Sequence, residues 1–368
     1  MKLICEGLDL SEAVLKVIKA CATRTTVPVM ECIKLSAKNQ TITLTATDGE
    51  MTIQKSIKAE ILEEGDVCVP GRYFCDFIKK LENVQITLVT EGNRMDIVYA
   101  DSQTSMQVLS ADDFPRVDTD VNGNSIIIKT AELKRLISSV SFCCASDDSR
   151  PILKGCQITV MGNDISITAL DGFRLATANG TGVSATGDME IVCPARTLNE
   201  IEKMLPADDG ETELKIDKGL LLVCVDDTVL TSCLYNGDFI KKENIIPKSF
   251  ITTVTVNREL LKASIERAAI LVRSDKNSLI ILNVEQGKIE ISSNSEIGNV
   301  NEPVKADVEG KDLKIAMNSK FITDAINALS EENIVLSFNN AIQPFICENQ
   351  TSKQVLYLVL PVRTSNNA

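Results

Sequence analysis

The chain has 368 residues, of which 44% are hydrophobic, with a net charge of −13 and no histidine. That length and apolar content suffice for two or three packed domains, and the missing imidazoles exclude every mechanism that needs a histidine base or ligand. No apolar run reaches the roughly 18 residues of a membrane helix, and the start MKLICEGLDL lacks the layout of a signal peptide, so a soluble intracellular protein is expected.

In chain order the pattern alternates between two textures. SEAVLKVIKACATR (residues 11–24) reads as a helix, and CIKLSAKNQTITLTATDG (32–49) as an antiparallel hairpin around a polar turn. VPGRYFCDFIKKL, ending at Leu81, is a second helix. A polar stretch, VDTDVNGNS (117–125), then marks a boundary. AELKRLISSVSFCC (131–144), the hairpin GCQITVMGNDISITALDG (155–172) and CPARTLNEIEKML (193–205) run through the same order again. A second boundary falls near Pro247 and Lys248. NRELLKASIERAAILVR (257–273), IEISSNSEI and AMNSKFITDAINAL complete a third round.

The three rounds are one repeat. ITLTATDGE, ISITALDGF and IEISSNSEI begin at Ile42, Ile165 and Ile289, in steps of 123 and 124. The second helices end at Leu81, Leu205 and Leu329, in two steps of 124. A period of domain size implies triplicated modules and not a solenoid. The fold class expected is α+β, each module holding several antiparallel strands and two helices, with modules at 1–124, 125–250 and 251–368.

Phe74, Phe77, Ile78 and Leu81 follow the spacing of one buried helical face, repeated by Leu198, Ile201 and Leu205, then by Ile322, Ala325, Ile326 and Leu329. Opposite lie Arg72, Asp76 and Lys79. The same positions 124 residues on are Arg196, Glu200 and Lys203, and then Lys320, Asp324 and Asn327. An i, i+4 ion pair within each helix would explain the cation, although carboxylate-first order is the better one there. The six helical stretches together carry +7, which leaves −20 on the rest of the chain, since the total is −13. Basic helices in an acidic chain suit the phosphate backbone of a duplex, held without sequence readout.

The twelve cysteines are scattered, with no CxxC pair, so buried small hydrophobes in a reducing cytoplasm are expected, without disulfides or zinc. For the vicinal Cys143 and Cys144, a redox role stands as the alternative to core packing on a helix. No P-loop, GxGxxG, nucleophile elbow or EF-hand loop is present. Neither an active site nor a cofactor nor a bound metal is expected.

The threefold repeat, ADDFPRV (Ala111–Val117), ALDGFRLA (Ala169–Ala176), VCPARTLNEIEKML and the ending YLVLPVR (Tyr357–Arg363) closely resemble the bacterial sliding clamp family, over essentially the whole chain. The resemblance implies a ring-forming head-to-tail homodimer around duplex DNA, with helices inside and antiparallel sheets outside. It implies a processivity factor that tethers polymerases and has no catalytic activity. By resemblance Arg24, Arg72, Arg150 and Arg196 match positions near the DNA path; Lys79 and Lys203 share the helical face described above, and Lys320 holds the same position as Arg72 and Arg196 in the repeat.

Partners in that family carry short motifs, a glutamine followed by aliphatic and aromatic residues, on polymerase subunits, the clamp loader and repair polymerases. By resemblance their groove would use Leu153, Leu170, Gly172, Phe173, Arg174, Leu175, Ile240, Asn244 and Ile245. It would continue through Asn318, Phe321, Ile342, Pro344, Leu358, Val359, Leu360, Pro361, Val362 and Arg363. Leu358 to Val362 also read as an ordinary final core strand. Phe173 stands where many relatives have His, and FIKKEN (Phe239–Asn244) departs from the usual FPDY. The tail 364–368 is expected to be disordered. The subunit interface should join the edge strand bearing Thr104, Met106 and Val108 to the helix with Ile270 and Leu271. The competing reading is a ring or arc scaffold that binds peptides without DNA.

Overall fold

The computed structural model describes residues 1–117, 121, 123–207, 209–273 and 278–363. The expected tail disorder, and part of the first boundary segment, lie outside the described residues. Each module reads strand, helix, four or five strands, helix, three strands.

The first module comprises β1 (Lys2–Glu6), α1 (Gly7–Val17), β2 (Cys32–Lys38), β3 (Thr41–Thr47), β4 (Met51–Lys58), β5 (Glu60–Glu63), β6 (Gly65–Pro70), α2 (Gly71–Ile78), β7 (Gln85–Glu91), β8 (Arg94–Tyr99) and β9 (Ser102–Gln107). The second has β10 (Asn124–Lys129), α3 (Thr130–Val140), β11 (Gly155–Met161), β12 (Asp164–Leu170), β13 (Arg174–Thr181), β14 (Ser184–Ala185), β15 (Met189–Pro194), α4 (Ala195–Met204), β16 (Glu211–Asp217), β17 (Leu220–Val225) and β18 (Thr228–Cys233). The third has β19 (Thr252–Asn257), α5 (Arg258–Val272), β20 (Leu279–Glu285), β21 (Lys288–Ser295), β22 (Gly298–Glu309), β23 (Leu313–Asn318), α6 (Ser319–Ala328), β24 (Asn333–Phe338), β25 (Phe345–Asn349) and β26 (Val355–Val359).

The helix faces follow the sequence pattern. Phe74, Ile78, Leu198, Ile201, Leu205, Ile322, Ala325, Ile326 and Leu329 are all buried, while Phe77 and Leu81 of the expected face are only half-buried. Two helix expectations need correction: α3 ends at Val140, so Cys143 lies in a 3-10 turn and Cys144 beyond it, and the first helix runs Gly7–Val17 and not 11–24, starting at Gly7 and not Ser11. A Cβ at position 7 would collide with the carbonyls of Leu81 and Val84, so only glycine lets β1 turn directly into the helix there. Ser11 instead sits buried on the helix and donates to Glu82.

The described chain divides into two compact units, and the division does not follow the repeat. One unit takes residues 1–131, 183–187 and 196–234; the other takes 132–182, 188–195 and 235–368. The first contains a five-stranded sheet, β5-β1-β7-β8-β9, and a nine-stranded one, β14-β10-β16-β17-β18-β4-β3-β2-β6. The second contains a twelve-stranded sheet, β15-β11-β12-β13-β26-β25-β24-β19-β22-β21-β20-β23. Every strand pair among the described residues is antiparallel, in the hairpins such as β2–β3 and also between distant strands such as β18–β4 and β26–β13.

Both large sheets are built by one rule. The last strand of a module pairs with the fourth strand of the module before it. So β18 lies on β4, with Thr228 opposite Lys55 and Ser232 opposite Met51, and β26 lies on β13, with Arg174 opposite Val359. The first module's last strand, β9, ends its sheet with a free edge. The third module's fourth strand, β22, pairs with β19 only through Ala306–Glu309, which leaves the side of Gly298–Glu302 away from β21 open.

Candidate functional site

In the second unit, the turn between β12 and β13 presents the DGFR segment. Asp171 Oδ1 accepts from the backbone N–H groups of Phe173 (2.8 Å) and Arg174 (3.0 Å), and Gly172 has φ +91, a conformation that side-chain-bearing residues resist. Phe173 is thereby thrust outward, 62% exposed. Its ring stacks on Phe321 of α6, with centroids 6.1 Å apart and planes 23° apart.

Arg174 points the other way and is buried. It donates to Asp171 (3.0 Å), to Asp324 of α6 (2.6 Å) and to the Phe142 carbonyl (2.7 Å), while its guanidinium lies 4.8 Å from the Phe321 ring centroid. A buried charge is tolerable only with such full pairing. The arginine therefore fixes α6 against the turn and holds the two aromatic rings together. It also corrects the sequence expectation, because Asp324 pairs with Arg174 and not with Lys320.

Beside these rings lies a cavity of about 550 Å³ lined by Gly172, Phe173, Asn318, Phe321, Ile342, Leu360, Pro361, Val362 and Arg363. Asn318 caps α6, its side chain accepting from the N–H groups of Lys320 and Phe321. The Asn340 side chain accepts from the N–H of Ile342 (3.0 Å) and so presents Ile342, 47% exposed. Two backbone bonds pin the final segment: Leu360 N–H donates to Phe173 O (2.9 Å) and Val362 N–H to Ala316 O (2.8 Å). The segment after β26 is thus a groove wall, while β26 itself is core.

Six groove residues expected from the sequence are buried and not lining, Arg174 among them. Leu153, Leu170, Leu175 and Leu358 form one buried cluster with Val192, Phe239 and Ile346, and Val359 is equally buried. β12, β13 and β26 each carry runs of consecutive buried residues, so these strands are covered on both faces there, and Leu153 comes from the turn Pro151–Lys154. Ile245 is half-buried against that cluster. Ile240 and Asn244 are exposed, and Pro344 is half-buried; none of the three lines the cavity. What sequence reasoning missed is the support, Asp171, Asp324 and Phe142, of which only Asp171, three residues before Arg174, left a local signal.

The expected DNA-facing cations are all exposed: Arg24, Arg72, Lys79, Arg150, Arg196, Lys203 and Lys320. Arg72, Arg196 and Lys320 are each the second residue of their helix. A cation there opposes the helix dipole, so it does not serve the helix. Their partners differ from the expected i, i+4 pattern. Lys79 pairs with Asp76 and Lys203 with Glu200, and Arg196 pairs with Asp48 and the Lys19 carbonyl. Among the described residues no ion pair is formed by Arg24, Arg72, Arg150 or Lys320.

On the edge strand β9, Thr104 and Met106 are half-buried, but Val108 just beyond is 4% exposed and belongs to the core. Ile270 on α5 is 69% exposed and Leu271 half-buried. Nine of the twelve free cysteines are buried; Cys224 and Cys233 are exposed, contrary to the expectation of buried thiols, and Cys144 lies between. Cys144 faces Cys156 (sulfurs 3.4 Å apart) and not its neighbour Cys143.

A repeated module with exposed helical cations and an apolar, aromatic-walled groove defines a docking protein that holds partners in place. Comparison with known proteins sharpens this. Residues 1–118, 127–241 and 243–363 match the N-terminal, central and C-terminal domains of the DNA polymerase III beta subunit. The beta sliding clamp of Staphylococcus epidermidis is 30% identical over 358 residues, covering 94% of this chain and 95% of that one. The sliding clamp of Bacillus subtilis superposes with a TM-score of 0.95 at 28% identity, over 99% of each chain. A putative DNA polymerase III beta subunit from Eubacterium rectale gives 0.94 at 30% identity, over 99% of this chain and 100% of that one. The chain belongs to the beta sliding clamp family of DNA polymerase III beta subunits, which are processivity factors of DNA replication and not enzymes. No described helix is long and apolar enough to cross a membrane.

Proposed function

We propose that the chain, organised as modules 1–124, 125–250 and 251–368, closes with a second copy, head to tail, into a ring around duplex DNA in the cytoplasm. Arg24, Arg72, Lys79, Arg150, Arg196, Lys203 and Lys320 face the phosphates. The observation that carries this is the exposed cation recurring at the dipole-opposed second position of α2, α4 and α6. Backbone contacts without base readout leave no deep minimum along the duplex, so the ring slides.

The cavity at Phe173 and Phe321 takes short partner motifs from polymerase subunits, the clamp loader and repair polymerases, with Ile245 and the buried leucines supporting it. Tethering raises the local concentration of a polymerase at its template without tightening its own grip on DNA. Thr104 and Met106 on β9, with Ile270 and Leu271 on α5, belong to the subunit junction. The scaffold that binds peptides alone leaves the helical cations unexplained.

The test is retention after loading by a clamp loader. The protein should remain on closed circular DNA at salt concentrations that strip weak electrostatic binders, and slide off once the circle is cut. Equal lifetimes on circular and linear DNA would refute encirclement.

A further inference from the structure

Tyr73 and Ile297 are the two most exposed large hydrophobic side chains described, at 74% and 83%. The repeat gives both a counterpart. Ile297 ends IEISSNSEI as Phe173 ends ISITALDGF, and Tyr73 holds the place in the second helix that Phe321 holds two periods later. Phe173 and Phe321 stack at the junction of the second and third modules.

The backbone around them recurs too. At each junction inside the chain, the residue at the Ile297 position accepts a hydrogen bond from the end of the next module's last strand. Cys233 N–H donates to Glu50 O (2.8 Å), and Leu360 N–H donates to Phe173 O (2.9 Å). The corresponding end of β9, Gln107, is on a free edge beside Tyr73, and both line a cavity of about 600 Å³ with Val108 and Leu109. Ile297 directly precedes the open stretch Gly298–Glu302 of β22. An antiparallel pairing of β9 with that stretch brings the end of β9 to the start of β22, and so Tyr73 to Ile297.

We propose that the occupant of the cavity at Tyr73 is Ile297 of a second copy of this chain, as the apolar clasp of the subunit junction. The proposal rests on the head-to-tail dimer. It adds which side chains close it: the first intrachain junction has Glu50 and Thr197 at these positions, the second Phe173 and Phe321, and the intermolecular one Ile297 and Tyr73. An exposed isoleucine and tyrosine that desolvate only on association favour the copy that supplies both.

The experiment is sedimentation of the full chain with Tyr73→Ala, Ile297→Ala and the pair. Each single change should raise the dimer dissociation constant about tenfold, and the double change should raise it by much less than the product of the two. Independently, a chain carrying both Tyr73→Cys and Ile297→Cys should form covalent dimers on mild oxidation, and neither single variant should. A wild-type dimer whose two changes multiply independently, with no covalent product, would overturn the clasp and leave the dimer standing. A wild-type monomer would overturn both.

Discussion

At the scale of single residues, Phe173 and Arg174 divide one turn between two tasks. Arg174 is spent on structure, joining Asp171 and Asp324, and its burial makes the aromatic wall rigid. Phe173 stays free to meet a ligand. Replacing Phe173 by Ala should leave folding intact, because the ring is mostly exposed, and weaken a glutamine-aliphatic-aromatic peptide roughly tenfold. Calorimetry showing an unchanged dissociation constant would remove Phe173 from the groove. The thiols make a second residue-scale expectation. Burial pushes Cys5, Cys21 and Cys68 up to about 12, so their reactive thiolate is scarce at neutral pH. Maleimide labelling followed by mass spectrometry should find Cys224 and Cys233 modified first; rapid loss of Cys21 or Cys68 would contradict the burial.

Elements carry their own dependence on pH. The Glu331 carboxylate accepts from the backbone N–H groups of Thr351 and Ser352, each at 2.8 Å, and clamps the β25–β26 turn to the segment after α6. The Thr351 bond first, then the Ser352 bond, holds its pKa below 4.5. A lowered pKa stabilises the fold above the unfolded value, and that stabilisation disappears as the pH falls through the folded one. Wild type should therefore exceed Glu331→Gln in thermal stability near neutrality, and the two should converge below pH about 4. Parallel curves down to acid pH would show that the charge is not what clamps the turn.

How far the sequence discloses these elements depends on the range of the interaction. The buried faces of α2, α4 and α6 and the β3, β12 and β21 hairpins were legible because their periods of 3.6 and 2 are local. The start of α1 at Gly7 was not, because a contact with Leu81 and Val84, over 70 residues away, decides it. The groove was half legible. The apolar run YLVL was visible, but that Tyr357–Val359 are core and the wall begins only at Leu360 depends on β13 lying beside β26. Nothing local marks Asp324 as the partner of Arg174, 150 residues before it.

For the whole molecule, electrostatics sets the grip on DNA. Arg72 and Lys320 form no ion pair among the described residues, so both charges remain available to phosphates. Changing both to Ala removes four cations from the two-copy ring and should lessen the slope of log affinity against log salt by about 4 on any duplex sequence. A slope that does not move would place them away from the backbone.

The sheet joins carry a consequence for how such a chain comes apart. Duplication copied the module, but cooperativity follows hydrogen-bonded sheets, and the middle module's strands are divided: β10, β14 and β16–β18 extend one neighbour's sheet, β11–β13 and β15 the other's. The central third of the gene thus encodes no independent folding block. A chain trimmed to it would strand two half-sheets with raw edges, open to aggregation.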